Sequence, residues 1–186
     1  GVNLMEFKIG KRGAKWLNLA LMKSADPRMP YSVISVLEVN NKMWAGATDG
    51  YRLHVLEVAM QTEEGPYTLD VENGTLTPAT MSYGAAVKWE KVIPHPSDLA
   101  LPGVQVDQAD FINISGNVCY QLHENGKSNV KCNFMDDAIK GSYGYKVWCN
   151  LNDYGPVKIE LLQEQTTRFA ILIPIRTAKI VGAVRV

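Results

Sequence analysis

Ala47-Thr48-Asp49-Gly50-Tyr51-Arg52-Leu53 separates two runs rich in β-branched, aromatic and aliphatic residues. Asp hydrogen-bonds its own backbone two residues on and Gly tolerates positive φ, so Thr48-Asp49-Gly50 reads as a tight turn. Beyond it, Leu53, Val55 and Glu57 fall on one face of a strand and Arg52, His54, Leu56 and Val58 on the other. Upstream, residues 31–39 and 42–47 read as two further strands, with Asn40-Asn41 as their turn. Ahead of these the period changes. Over residues 13–24, Ala14, Leu17 and Leu21 share a stripe with Trp16 and Ala20 beside it, while Lys11, Lys15 and Asn18 fall on another. This spacing predicts a helix, ended by Asp26-Pro27.

Residues 61–96 hold short strand-like pieces broken by Gly65-Pro66, Asn73-Gly74 and Pro78. Pro94-His95-Pro96-Ser97 reads as a linker, which divides the chain into a lobe over 1–96 and a second β-rich lobe over 97–186. In the second lobe, residues 111–114, 118–123, 129–134, 145–150, 157–162 and 169–175 read as strands, and Glu124-Asn125-Gly126-Lys127 closes a hairpin between the second and third. No helix is expected there. The last strand lies within Arg168-Phe169-Ala170-Ile171-Leu172-Ile173-Pro174-Ile175-Arg176. Pro174 cannot donate to a ladder, so this strand should lie at a sheet edge or end at the proline. Such an apolar edge is a place where an extended peptide can dock.

Three of these segments resemble, in the same order along the chain, signature segments of the bacterial replicative polymerase's sliding clamp. Thr48-Asp49-Gly50-Tyr51-Arg52-Leu53 is similar to that family's turn and strand, with Tyr51 where His is frequent. Val87-Lys88-Trp89-Glu90-Lys91-Val92-Ile93-Pro94 resembles the segment closing the clamp's middle domain, and residues 168–176 resemble its closing strand. The resemblance implies an α+β fold, a β-rich DNA-clamp-like arrangement of antiparallel sheets with few helices. It also implies a pocket for short peptides of DNA polymerase or other DNA-handling proteins, carried here by Thr48, Gly50, Tyr51, Arg52, Leu53, Lys91, Val92, Ile171, Ile173, Pro174, Ile175 and Arg176. Clamp helices line a hole and present basic residues to passing phosphates without reading bases. By that likeness Lys8, Lys11, Arg12, Lys15 and Lys23 would face duplex DNA. Rings of this family need six domains, so a closed ring of a two-lobed chain would take three copies, a homo-oligomer. The alternative is a clamp-derived peptide-binding regulatory module that forms no ring.

Composition is compatible with a folded, intracellular, non-catalytic protein. The 186-residue chain is 46% hydrophobic and 20% charged, enough to bury a core and unlike a disordered chain. Its net charge is zero, so attraction to nucleic acid must come from local clusters such as Lys8, Lys11, Arg12, Lys15, Lys23 and Arg28, opposed in that stretch only by Glu6 and Asp26. Three cysteines without CxxC spacing suggest reduced thiols and a cytoplasmic setting rather than a disulfide framework. No apolar run approaches the ~20 residues of a membrane span. Gly126-Lys127-Ser128 ends like a phosphate-binding loop, but Gln121 stands where the earlier Gly is required. His54, His95 and His123 are scattered, and Asp136-Asp137 reads as a solvated acidic turn before a cation site. No cofactor, metal or catalytic activity is therefore expected.

Overall fold

The computed structural model describes residues 5–23, 30–79 and 86–176. The residues after Arg176, together with Arg28 and the Asp26-Pro27 stop signal, lie outside them. The first helix, α1 (Lys11–Ala20), buries Ala14, Trp16, Leu17 and Ala20 and exposes Lys11 and Lys15. A meander follows, β2 (Ile34–Val39), β3 (Lys42–Thr48) and β4 (Arg52–Val58), preceded in the chain by the short β1 (Phe7–Lys8). Asn40 and Asn41 turn the first hairpin with φ of 53° and 64°, as a two-residue turn matched to strand twist requires. Next come β5 (Gly65–Asp70), β6 (Thr75–Pro78), β7 (Leu101–Pro102), β8 (Asp110–Ile114), β9 (Asn117–Gln121) and β10 (Asn129–Lys131). The second helix, α2 (Cys132–Ile139), leads into another meander, β11 (Tyr145–Cys149), β12 (Val157–Leu161) and β13 (Arg168–Leu172).

The fold is β-rich α+β with antiparallel sheets and few helices. Ten strands form one sheet in the order β1-β6-β5-β2-β3-β4-β13-β12-β11-β7, and β10-β9-β8 form a smaller one. The central order mirrors itself. In each half a helix is followed by a three-stranded meander, and the two last strands, β4 and β13, pair antiparallel with Ala170 opposite His54. Both helices pack on the same side, over a cluster that draws Leu17, Val36, Ala45 and Leu56 from one half and Met135, Val147, Ile159 and Leu172 from the other. Burying each of the Val, Leu, Ile and Met side chains among these contributes about 1.5–3 kcal/mol. Leu37, Leu53, Val55, Trp89 and Ile171 form a second cluster on the opposite face of the sheet.

Two sequence expectations are corrected. Residues 129–134 are not one strand, because β10 stops at Lys131 and α2 begins at Cys132, so the second half does contain a helix. Val130, Cys132 and Phe134 mimic a period of two, yet Phe134, Met135 and Ala138 make one buried helical face, and packing decides between the two periods. Of the two alternatives for the closing strand, the edge is the one that fails: β13 lies between β4 and β12, and it ends at Leu172, ahead of Pro174, as a strand stopped by the proline should. Pro174 is then buried without being asked for a ladder hydrogen bond, since the flanking amides of Ile173 and Ile175 donate to Tyr51 O at 3.1 Å and Asn129 O at 2.8 Å.

Candidate functional site

The Thr48–Arg52 turn is held closed by its own side chains. Asp49 Oδ1 accepts from the amides of Tyr51 at 2.9 Å and Arg52 at 3.1 Å. Thr48 Oγ1 accepts from Gly50 N at 3.0 Å and donates to Arg52 O at 2.7 Å. Gly50 takes φ of 93°, where an L side chain would be strained. This turn meets residues leaving β13 through the Ile173 N to Tyr51 O bond.

A strap over residues 86–93 crosses the helix-free face of the sheet. Val87 N donates to Ser35 Oγ at 2.9 Å, and Trp89 Nε1 donates to Ser35 O at 2.8 Å. Trp89 reaches that carbonyl because Gly46 lies beneath it: a Cβ there would come within 2.4 Å of Nε1. The turn, the strap and the exit of β13 enclose an apolar cleft of about 130 Å³. Its described lining includes Thr48, Gly50, Tyr51, Arg52, Leu53, Val92, Ile171 and Ile173, together with Tyr31, Val87, Lys88 and Trp89. Tyr51, Val92 and Ile173 remain exposed, at 65%, 52% and 37%, so apolar surface faces solvent at the mouth. Such a volume is below the ~300–1,000 Å³ of ordinary small-molecule sites and suits one or two anchoring side chains.

Lys91, Pro174, Ile175 and Arg176 are not among the lining residues. Lys91 is exposed on the strap, Ile175 is bonded toward β10, and the Arg176 guanidinium stacks 5.7 Å from the Tyr154 ring. Tyr31 joins the cleft from the segment preceding β2, and it carries no local signal beyond being aromatic next to a strand. Arg52 lines the cleft, but its guanidinium is engaged on the helix side of the sheet: Nη1 lies 2.7 Å from Asp137 of α2, Nε 3.0 Å from Asp49, and the group stacks 4.5 Å over Phe134.

On that helix side Lys11 and Lys15 are exposed, and Lys8 is exposed on β1, next to Phe7, which packs into the helix-side cluster. Lys23 donates to the side chain of Asn18 at 3.1 Å. Arg12 is half committed, pairing with Glu164 at 2.7 Å and lying 4.8 Å over Tyr143. Burial raises the Glu164 pKa, but hydrogen bonds from Arg168 and Arg12 outweigh it and hold this carboxyl below its ordinary range. Arg12, Lys15 and Lys140 border a shallow basic depression of about 360 Å³ beside Trp16 and Leu19.

The titratable candidates are occupied structurally. His54 is fully buried and stacked on Trp16, with Nδ1 at 2.8 Å from Trp16 O, and burial pushes its pKa down to about 3. Asp136 accepts from Tyr120 Oη at 2.8 Å; burial and that bond push the tyrosine up to about 12. Cys119, Cys132 and Cys149 are all outside disulfides. Among the described residues no three His, Cys, Asp or Glu side chains converge as metal ligands, and no helix is long and apolar enough to cross a membrane.

Comparison with solved structures places this architecture in a class, the clamp fold. The chain matches the DNA polymerase III beta subunit of Thermotoga maritima at 15% identity and a TM-score of 0.59, over 94% of this chain and 66% of that one. A DnaN sliding clamp from Bartonella birtlesii, bound to griselimycin, matches at 11% identity and 0.60, over 92% and 65%. The C. crescentus beta sliding clamp matches at 14% and 0.58, over 93% and 66%. The chain thus spans just under two thirds of the clamps it matches, and it shares their fold. No family model and no curated protein sequence matches it.

Proposed function

We propose that this protein is a sliding-clamp-like, non-enzymatic replication and processivity factor that holds partner peptides in the cleft between the Thr48–Arg52 turn and Ile173. The observation that carries this reading is convergence. Thr48 and Gly50 to Leu53, Val87 to Trp89 with Val92, and Ile171 with Ile173, far apart in sequence, line one apolar cleft with exposed apolar residues at its mouth. These are the segments whose sequence resembles the clamp family's peptide pocket, and the clamp fold of the chain supports the same role. The expected partner is a short segment of a DNA polymerase or another DNA-handling protein, with Gln followed by aliphatic and aromatic residues. So small an interface gives micromolar affinity, about 8 kcal/mol. Lys8, Lys11, Arg12, Lys15 and Lys23 form the duplex-facing surface in this reading, which encircles or tracks along DNA without reading sequence. The two lobes, 1–96 and 97–186, are its repeated units, and its place is the cytoplasm.

Fluorescence polarisation of a labelled peptide of that type checks the pocket. Binding should be saturable, and Ile173→Asp should abolish it, because a bound peptide would bury the carboxylate without a partner. No polarisation change up to millimolar protein, or undiminished binding by Ile173→Asp, would sink the assignment. If the peptide binds but duplex DNA does not and the protein is monomeric, the ringless peptide-binding module is the better account.

A further inference from the structure

The geometry points to Asp137, on helix α2, as a positioning residue for the peptide cleft, acting through Arg52 and Asp49 on the turn that forms one wall. This role rests on the peptide-pocket reading above. Asp137 is not among the residues lining the cleft. Its Oδ2 holds Arg52 Nη1 at 2.7 Å, and Arg52 Nε in turn holds Asp49 Oδ2 at 3.0 Å. The other oxygen of Asp49 accepts the amides of Tyr51 and Arg52, at 2.9 and 3.1 Å. Tyr51 O then accepts Ile173 N at 3.1 Å, which joins this wall to the opposite one. A continuous run of hydrogen bonds therefore links a helix on one face of the sheet to both walls of a cleft on the other.

Each member has a reason to stay in place. The Arg52 side chain is 11% exposed and the carboxylates of Asp49 and Asp137 are 18% and 28% exposed, so the three charges are partly withdrawn from water and depend on one another. Phe134, one turn before Asp137 on α2, lies under the guanidinium at 4.5 Å and fixes its plane. An arginine fork held at two donors has little freedom to swing, and Asp49 is oriented by the same grip. Without Asp137 the guanidinium keeps one carboxylate and the Phe134 ring but loses its only ion pair to the helix among the described residues, which lets Asp49 and the two amides it caps move. Tyr51 and Arg52 both line the cleft, so that motion is felt where the peptide would sit.

The experiment compares wild type, Asp137→Asn and Asp137→Glu. Peptide affinity is read by polarisation, thermal stability by melting, and the amide exchange of Tyr51 and Arg52 by NMR in the peptide-free protein. Asp137→Asn should bind the labelled peptide at least about fivefold more weakly at a temperature far below its melting point, with faster exchange of those two amides. Asp137→Glu, which keeps the charge on a flexible stem, should recover much of both. Unchanged affinity and exchange in Asp137→Asn, with only a lower melting temperature, would reduce Asp137 to a stabilising contact and overturn the positioning role alone. If wild type itself fails to bind the peptide, the pocket reading falls and the positioning role falls with it.

Discussion

At the residue scale, His54 shows how one buried group writes a pH dependence into the fold. The folded protein keeps this imidazole neutral, with a pKa near 3 against an ordinary 6.5, because burial and the neighbouring Arg52 and Arg168 oppose its charge. The unfolded chain takes up a proton below pH 6.5 that the folded chain refuses, so its contribution is intact above pH 6.5 and is lost as pH falls toward 3. Between pH 6 and 4.5 the cost is about 1.4 kcal/mol per pH unit. Melting temperatures over that range should fall for wild type and fall less steeply for His54→Gln; parallel slopes would show that another group dominates. Gly46 makes a second case. Its α-hydrogen faces the Trp89 indole, and a methyl there would stand 2.4–2.7 Å from three ring atoms. Gly46→Ala should therefore expel Trp89 from its bond to Ser35, at a cost of about 2 kcal/mol. Urea titration would read the loss and a red-shifted tryptophan emission the expulsion; an unshifted spectrum would mean that the ring stays seated.

At the element scale, the two helices differ in how openly the sequence declares them. The α1 segment has its apolar residues at helical spacing throughout, and only its bounds differ from expectation: it starts at Lys11 rather than residue 13 and ends at Ala20 rather than near residue 24. α2 was hidden. Its eight residues follow a three-residue strand without any cap residue at Lys131, so the change of period falls inside an apolar stretch. The exposed face of α1 is also where the DNA reading is tested. Lys11 and Lys15 lie one helical turn apart, exposed and off the buried stripe, so charge reversal at both should leave the fold unchanged. Lys11→Glu/Lys15→Glu should lose most of a weak, sequence-independent duplex affinity that itself falls steeply with salt. Electrophoretic mobility shifts at low salt measure this, and equal binding by both proteins would remove α1 from the DNA surface.

At the scale of the whole molecule, β4 and β13 join the two meanders into one sheet, and residues from both halves share a core. A ring built on this chain needs further copies, and three is the number implied if each of the two lobes does the work of a clamp domain. Light scattering should then return about three times the 20.6 kDa chain mass, with slower escape from circular than from linear duplex. A mass of one chain would favour the ringless module.

Much of this architecture was legible locally. Asp49-Gly50 and Asn40-Asn41 set turns because short polar side chains and glycine accept positive φ wherever they occur, and the period of two in β4 assigned Leu53 and Val55 to one face and Leu56 and Val58 to the other. What remained for the tertiary structure was every choice that depends on a distant neighbour. Whether residues 132–134 continue a strand or begin a helix, whether β13 is an edge or a central strand, and whether Arg52 serves the cleft directly or reaches α2 all turn on what packs alongside. Hydrogen-bonding pattern and φ preference belong to a few adjacent residues, but burial and charge pairing belong to groups far apart in the chain, 85 positions for Arg52 and Asp137 and 152 for Arg12 and Glu164, and only the folded chain brings those together.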